Sequence, residues 1–229
     1  MIDRTDQPAG PARLVVVISG RGRNLEAIIQ AIDDGQLNAH IALVVSNRMN
    51  APGLRTARLA GLACAALDPK AFAGRPAFDQ ALASRIAAAA PDWVVLAGYM
   101  RILSSAFVQR FADRLVNIHP SLLPRYKGLD THIRVLTHGD DHHGASVHFV
   151  TPDLDGGPLI RQGSIAVEPD DTPTLLAERL MTRVEQQIYP LALAELVDGR
   201  VSLCDGRVWR DGQLQEHCPY ENYDDLPVH

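Results

Sequence analysis

The stretch Arg13-Leu-Val-Val-Val-Ile18, followed at once by Ser19-Gly-Arg-Gly-Arg-Asn24, is the strongest indication of the fold of this chain. After its arginine, the first stretch is apolar and largely β-branched, which is typical of a strand buried on both faces. The glycine-rich stretch interrupts the apolar run, and residues 25–32 then show the spacing of a helix. Strand, glycine-rich turn and helix in this order predict the first half of a βαβ unit.

Apolar runs of the same kind recur along the chain and alternate with helix-like segments. We expect further strands at residues 41–45, 93–97, 115–118 and 146–150. We expect further helices at residues 54–61, 77–89, 104–111 and 173–196, the last of them kinked or broken at Pro190. This alternation predicts an α/β fold with a single-domain, Rossmann-like open sheet that is largely parallel and carries helices on both faces.

The end of the chain reads differently from the rest. Val201-Ser-Leu-Cys204, Asp205-Gly206 and Arg207-Val-Trp209 predict a C-terminal β-hairpin, because Asp-Gly favours the positive φ angles of a tight turn. The residues after Gly212 are mostly polar and include proline. We therefore expect a flexible N-terminus (1–12), one domain (13–212) and a loose C-terminal tail (213–229).

Composition excludes several classes of protein. The 229 residues are 46% hydrophobic and 21% charged with a net charge of −5, as in an ordinary globular protein. No run of Lys and Arg is present, which argues against binding to nucleic acid or to an anionic membrane. No apolar run approaches the ~20 residues that span a bilayer. The three cysteines form no Cys-x-x-Cys pair, so we expect a cytoplasmic protein without disulfides.

The stretch Ser19-Gly-Arg-Gly-Arg-Asn24 is a candidate phosphate site. It opens a helix, so its backbone N–H groups and the helix dipole would face the carboxyl edge of the sheet. Its glycines permit close approach of an anion, and its arginines add positive charge. Leu25 stands where a dinucleotide motif has its third glycine, which argues against a nicotinamide cofactor. The alternative is a plain strand-to-helix turn.

The stretch Asn117-Ile-His-Pro-Ser-Leu-Leu-Pro124 is the most informative for chemistry. In an extended segment Asn117 and His119 project to one face, and Pro120 ends the strand directly after them. An amide and an imidazole placed there can donate hydrogen bonds to a developing oxyanion, or move a proton near neutral pH. The alternative is a histidine that only caps the end of the strand.

Two loops near this stretch carry further candidates. Thr151-Pro-Asp-Leu-Asp-Gly-Gly-Pro158 suits a tight loop in which Asp155 holds an imidazolium by its charge, or in which the aspartates only form turns. Met100-Arg-Ile-Leu103 follows a strand end and could receive an aromatic ring through backbone polar groups, or simply lead into a helix. Glu185 could meet an amine or a sugar hydroxyl, or lie exposed on a helix.

Histidines and aspartates also cluster between residues 138 and 148, but we do not expect a metal site there. The adjacent His142 and His143 would point to opposite sides of a strand, and no helical pair of histidines accompanies them. His148 is expected to be a hydrogen-bonded structural residue. The other members of the cluster are His138, Asp140 and Asp141.

In these motifs the chain, from Val15 to about Trp209, closely resembles the phosphoribosylglycinamide formyltransferases, a folate-dependent family of purine biosynthesis. The matching stretches include Val17-Ile-Ser-Gly-x-Gly-x-Asn24, Leu96-Ala-Gly-Tyr-Met-Arg-Ile-Leu103, Asn117-Ile-His-Pro-Ser-Leu-Leu-Pro124, Gly144-Ala-Ser-Val-His-Phe-Val150 and Asp155-Gly-Gly-Pro158.

The resemblance implies transfer of the formyl group of 10-formyltetrahydrofolate to the amine of glycinamide ribonucleotide, without a metal. It implies that Asn117, His119 and Asp155 are catalytic, with the first two stabilising the oxyanion and Asp155 supporting the imidazolium. The implied ribonucleotide contacts are Gly22, Arg23, Asn24 and Glu185. The implied folate contacts are Arg75, Met100, Arg101, Ile102, Leu103 and Asn117, together with the loop residues Thr151, Pro152, Asp153, Leu154 and Asp155.

Two residues depart from the family pattern. Arg23 stands where the family commonly has serine, so a guanidinium or the backbone alone would replace a hydroxyl contact to phosphate. Thr182 stands where a longer polar residue, such as glutamine or lysine, is often found. Both departures affect the ribonucleotide contacts and leave the reaction class unchanged. The partners expected are small-molecule substrates, and a homodimer is possible.

Several alternatives share part of this pattern. Methionyl-tRNA formyltransferases have the same His-Pro-Ser-Leu-Leu-Pro motif but normally carry a C-terminal nucleic-acid-binding domain, which we do not expect here. Formyltetrahydrofolate hydrolases carry an N-terminal regulatory domain, which we also do not expect. A non-catalytic nucleotide- or folate-binding module would bind without turnover, and a Rossmann-type oxidoreductase would require a nicotinamide.

Overall fold

The strand predicted at the start of the chain lies inside the sheet and is covered on both sides. In the computed structural model, which describes residues 10–224, it forms β1 (Ala12–Ile18). Leu14 and Val16 belong to the core between the sheet and one layer of helices, whereas Val15 and Val17 belong to the core on the opposite face. Because neighbouring residues face opposite layers, the strand is apolar without interruption from Leu14 to Ile18, after the exposed Arg13. Helices on both faces are thereby confirmed.

The described chain contains seven α-helices and eleven strands. The helices are α1 (Arg23–Asp33), α2 (Pro52–Leu59), α3 (Arg75–Ala87), α4 (Ser105–Arg110), α5 (Thr131–His138), α6 (Pro173–Leu180) and α7 (Gln186–Val197). The remaining strands are β2 (Ala39–Ser46), β3 (Cys64–Ala66), β4 (Trp93–Leu96), β5 (Leu115–His119), β6 (His142–Phe149), β7 (Leu159–Ala166), β8 (Val201–Cys204), β9 (Arg207–Arg210), β10 (Gln213–Leu214) and β11 (Tyr220–Asn222).

The main sheet is open and largely parallel, as predicted. Its strand order is β11-β7-β6-β5-β4-β1-β2-β3. Strands β1 to β5 run parallel to one another, and β6 is antiparallel to both β5 and β7. The chain first builds outward from β1 to β3 and then returns to the other side of β1 with β4. This reversal opens a crevice at the carboxyl ends of β1 and β4, where open α/β sheets bind ligands.

Besides β11 in the C-terminal tail, three elements of the main fold lie outside the predicted segments. They are β3, α5 and β7; β3 is short and rich in alanine, while β7 mixes apolar and polar residues. The antiparallel pairing of β7 with β6 and its parallel pairing with β11 stabilise it as a strand. Its identity as a strand therefore depends on tertiary contacts more than on its own pattern.

The long C-terminal helix is not broken at Pro190, which lies inside α7. The irregularity lies upstream, in a π-helical turn at Met181–Glu185 that joins α6 to α7. Single π turns of this kind often occur at functional sites.

The C-terminal part of the described chain is more ordered than we expected. β8 and β9 form the predicted hairpin, and β10 extends it to three antiparallel strands. β11 then pairs with β7 at the edge of the main sheet. The Tyr220 hydroxyl shares a hydrogen bond of 2.6 Å with Ser164. Most of the predicted flexible N-terminus and the last tail residues lie outside the described range. No helix within residues 10–224 is long and apolar enough to cross a membrane.

Candidate active site

The candidate residues meet at the edge of the sheet where β1, β4 and β5 end. The Ser19 amide, directly after β1, donates a 3.1 Å hydrogen bond to the carbonyl of Gly98, just after β4. The loops that carry the candidate phosphate and folate residues are therefore joined at the crevice. His119 is the last residue of β5, the next strand along.

Asn117 is oriented by a histidine on the neighbouring strand. Asn117 and His148 are directly paired between β5 and β6, and the Asn117 amide nitrogen lies 3.2 Å from His148 Nε2. His148 Nδ1 lies 2.8 Å from the carbonyl of Phe149, so this nitrogen carries the proton and Nε2 accepts. Burial lowers the pKa of His148, which keeps the ring neutral and able to accept. One N–H of the Asn117 amide is thus used, and the other remains available.

His119 lies between two hydrogen-bond acceptors. Its Nε2 is 3.0 Å from the carbonyl oxygen of Tyr126, and its Nδ1 is 3.5 Å from a carboxylate oxygen of Asp155. Both ring nitrogens therefore face an acceptor, and a nitrogen that carries a proton can donate to it. The second Asp155 oxygen lies 3.8 Å from His148 Nε2, so the carboxylate stands between two histidines.

The loop that carries Asp155 is held in an unusual backbone conformation. Asp155 has φ of 46°, and its carboxylate accepts a 2.9 Å hydrogen bond from the Gly128 amide. A Cβ on Gly157 would lie 1.8 Å from the carbonyl oxygen of Phe149, so only glycine fits there. The Asp-Gly-Gly-Pro motif therefore lets the loop pass close to β6 and brings its carboxylate to His119.

The candidate phosphate loop also depends on close backbone packing. Gly22 has φ of 81°, and a Cβ there would lie 2.8 Å from Cα of Gly53 in α2. Gly22 precedes α1 and no side chain caps this helix start. The first N–H groups of a helix attract anions when no side chain caps them.

Asn24 and Glu185 form a buried pair beside that helix start. The Asn24 amide donates a 2.8 Å hydrogen bond to Glu185, and both residues are buried. Burial raises the pKa of Glu185, and the Asn24 hydrogen bond partly opposes this. The interpretation of Glu185 as an exposed helix residue is wrong, because the π turn directs it inward to α1.

Arg23 pairs with a carboxylate on a neighbouring helix. Its guanidinium forms an ion pair and hydrogen bond with Glu178 in α6. The backbone carbonyl of Arg23 also accepts a 3.3 Å hydrogen bond from Gln186. The side chain that replaces the family's serine is therefore already partnered.

The candidate folate residues surround the loop after β4. Met100 and Ile102 are 61% and 60% exposed, so this loop presents two large apolar side chains at the surface. The Arg101 guanidinium stacks over the Phe78 ring at 5.0 Å. Arg75 begins α3, and its Nε lies 3.7 Å from the buried carboxylate of Asp79. In the loop after β6, Asp153 pairs with Lys127 at 3.0 Å, and Leu154 is exposed.

A small cavity adjoins the candidate catalytic residues. It has a volume of about 110 Å³ and is lined by Leu123, Pro124, Lys127, Asp155, Gly156, Gly157 and Leu159. A water molecule occupies about 30 Å³ in the liquid, so the cavity has room for water beside the carboxylate of Asp155.

The clustered histidines lie in different environments. His143 is buried while its neighbour His142 is exposed, which confirms that the two point apart. His143 Nε2 lies 2.9 Å from His132 Nδ1, a contact that the sequence did not predict. Within residues 10–224 no group of three or more histidine, cysteine or acidic residues is arranged to hold a metal ion.

The sequence missed His148 as a partner of Asn117, and Ser19 and Asp79 as supports of the loop after β4. The only signal for His148 was its place in the strand pattern of β6, and the register with β5 was needed to place it opposite Asn117. The prediction that His148 is hydrogen-bonded is confirmed.

Comparison with known proteins identifies the family of the chain. The family model described as formyl transferase matches residues 12–193. The chain belongs to the formyl transferase family. Among its relatives in this formyl transferase family, the phosphoribosylglycinamide formyltransferase of Escherichia coli (strain K12) is 48% identical over 200 residues, covering 87% of this chain and 94% of that protein.

Solved structures of formyl transferases show the same fold. A phosphoribosylglycinamide formyltransferase from Coxiella burnetii has a TM-score of 0.87 at 42% identity, covering 93% of this chain and 99% of that one. Glycinamide ribonucleotide transformylase 1 from Symbiobacterium toebii has a TM-score of 0.85 at 40% identity, covering 89% and 95%. The family predicted from the motifs is confirmed, and the individual site residues stay predictions.

Proposed function

We propose that this formyl transferase moves the formyl group of 10-formyltetrahydrofolate to the amino group of glycinamide ribonucleotide, a step of purine biosynthesis. The observation that carries the proposal is the cluster of Asn117, His119 and Asp155 at the crevice of the sheet. The family and the names of the relatives support the reaction class.

The reaction begins when the amine attacks the formyl carbon. A C–N bond forms, the carbonyl electrons move to oxygen, and a tetrahedral oxyanion results. The free N–H of the Asn117 amide donates a hydrogen bond to this oxyanion, and the His119 imidazolium stabilises it by its positive charge. Asp155 stabilises the imidazolium by its charge.

The intermediate then collapses toward products. The bond between the formyl carbon and N10 of the folate breaks, N10 gains a proton, and the former amine loses one. The cavity beside Asp155 has room for water, which would carry the proton between these nitrogens. The proposed mechanism uses these side chains and water, and none of its steps requires a metal.

The two substrates occupy neighbouring parts of the crevice in this proposal. The ribonucleotide phosphate binds at the start of α1 near Gly22, Arg23 and Asn24, and Glu185 contacts the same substrate. The folate lies against residues 100–103 and 151–155, with Arg75 at its acidic end. The remaining predictions are a cytoplasmic location and a possible homodimer.

An absorbance assay tests the proposal. The protein is mixed with 10-formyltetrahydrofolate in chelator-treated buffer, with and without glycinamide ribonucleotide. We expect loss of the formyl folate that depends on the ribonucleotide. Loss without the ribonucleotide would indicate a hydrolase instead, and binding without any turnover would indicate a non-catalytic module.

A further inference from the structure

Ser19 is a buried residue at the junction of the two proposed substrate loops. It is the first residue after β1, where the candidate phosphate loop begins, and it is 1% exposed. Its hydroxyl accepts a 2.8 Å hydrogen bond from the Met100 amide and donates one of 2.5 Å to Asn47, which follows β2. Its own amide bonds to Gly98. One small side chain thus connects the ends of three strands.

These contacts determine the start of the proposed folate loop. The side chain of Met100 is exposed, so apolar packing does little to hold the residue. The Ser19 hydroxyl is the acceptor for the Met100 amide, and Asn47 Oδ1 orients that hydroxyl by accepting its hydrogen bond. At the far end of the loop, the buried carboxylate of Asp79 accepts a 2.8 Å hydrogen bond from the Ser104 amide.

We propose that Ser19 is a positioning residue for the folate: its hydroxyl holds the backbone of residues 100–103 in the geometry that receives the ring of the formyl donor. The proposal rests on the proposed function, because it takes residues 100–103 as the folate site. It differs from a role in phosphate binding, since the hydroxyl is turned away from the loop that follows it and toward Asn47 and Met100.

Ser19→Ala tests the proposal, with Ser46→Ala as its matched control. Ser46 is also fully buried at the end of a neighbouring strand, but among residues 10–224 its hydroxyl accepts a hydrogen bond only locally, from the Arg48 amide. Binding of 5-formyltetrahydrofolate and of glycinamide ribonucleotide is measured separately by calorimetry, alongside kcat and both KM values. Thermal unfolding is recorded for each variant.

We expect Ser19→Ala to weaken folate binding roughly tenfold, because a donor that loses its only acceptor is left unsatisfied. Ribonucleotide binding should change less than about twofold, and Ser46→Ala should leave both affinities near wild type. If Ser19→Ala does not fold, Ser19→Cys keeps the size and offers a weaker acceptor, and it should give a smaller loss in the same direction.

A folate affinity within about twofold of wild type, an equal loss for both substrates, or the same loss in Ser46→Ala would overturn the proposal. The calorimetric binding measurements also distinguish a failure of this inference from a failure of the proposed function. A wild-type protein that binds 5-formyltetrahydrofolate but transfers no formyl group contradicts the proposed function, while the Ser19 comparison still decides the positioning role. A wild-type protein that binds no folate contradicts both.

Discussion

At the scale of single residues, the candidate catalytic side chains form a chain of contacts. His148 accepts from Asn117, and Asp155 stands between His148 and His119. The neutral His148 prevents the Asn117 amide from rotating, which leaves one N–H directed away from the pair. Such preorganised donors stabilise a transition state because they need no rearrangement when charge develops.

His119→Ala should remove most turnover and leave substrate binding largely intact. The imidazolium is proposed to act on the oxyanion, which exists only along the reaction path, so kcat should fall by about 10²–10³. The KM values should change by less than about threefold. Steady-state kinetics with both substrates varied provides the measurement. Equal losses in binding and turnover would contradict the catalytic role.

Glu178→Gln should strengthen ribonucleotide binding, because it frees the Arg23 guanidinium from its ion pair. An exposed pair of this kind is weak, so we expect a roughly two- to fivefold lower KM for the ribonucleotide, with a steeper dependence on salt. In an Arg23→Ser background the same substitution should have no effect. A response that persists without Arg23 would show that Glu178 acts in another way.

At the scale of elements, backbone close contacts position the two loops that carry the chemistry. Gly22 packs against Gly53 of α2, and Gly157 packs against the carbonyl of Phe149. In the helical layer the π turn also positions a site residue, because it places Glu185 beside Asn24. These are places where main chain, rather than side chain, determines the geometry.

Gly22→Ala should destabilise the protein, and Gly20→Ala should not. Gly22 has a positive φ and no room for a Cβ, whereas a Cβ on Gly20 would meet nothing within 4 Å. We expect a loss of about 2 kcal/mol in the free energy of unfolding for Gly22→Ala and less than about 0.5 kcal/mol for Gly20→Ala. Urea denaturation of both variants measures the difference. Similar stabilities for the two variants would show that the loop can relax.

At the scale of the whole molecule, stability in acid should depend on the buried His143 of β6. Burial and the neighbouring His132 lower the pKa of His143 to about 3, and Asp140 opposes this only in part. His143 is therefore protonated below about pH 6.5 in the unfolded chain, but only below about pH 3 in the native protein. Stability must fall as the pH decreases through this window.

His143→Gln should flatten that dependence. Wild type should lose about 1 kcal/mol of unfolding free energy per pH unit through this group below about pH 6, and the variant should lose less. His217→Gln, at an exposed position, should keep the wild-type slope. Urea denaturation at several pH values between about 4 and 7 checks this. A variant with an unchanged slope would show that His143 is not responsible.

Features that depend on local pattern could be predicted from the amino-acid sequence alone. The uninterrupted apolar run of β1 indicated a strand covered on both faces, and alternation with helices predicted the open parallel sheet. The spacing of Asn117 and His119 placed both on one face of a strand end. Period and turn chemistry act within a few residues, so they can be read without knowing what packs nearby.

The contacts between residues that are distant in the sequence could be identified only from the tertiary structure. The register between β5 and β6 places His148 opposite Asn117, the π turn buries Glu185 against Asn24, and the return of the chain to β4 brings Met100 to Ser19. β7 and β11 become strands because each pairs with a neighbour. Contacts of this kind join residues that are far apart in the chain. They are determined by the register between strands and by the direction in which each helix face points, and a local sequence pattern specifies neither.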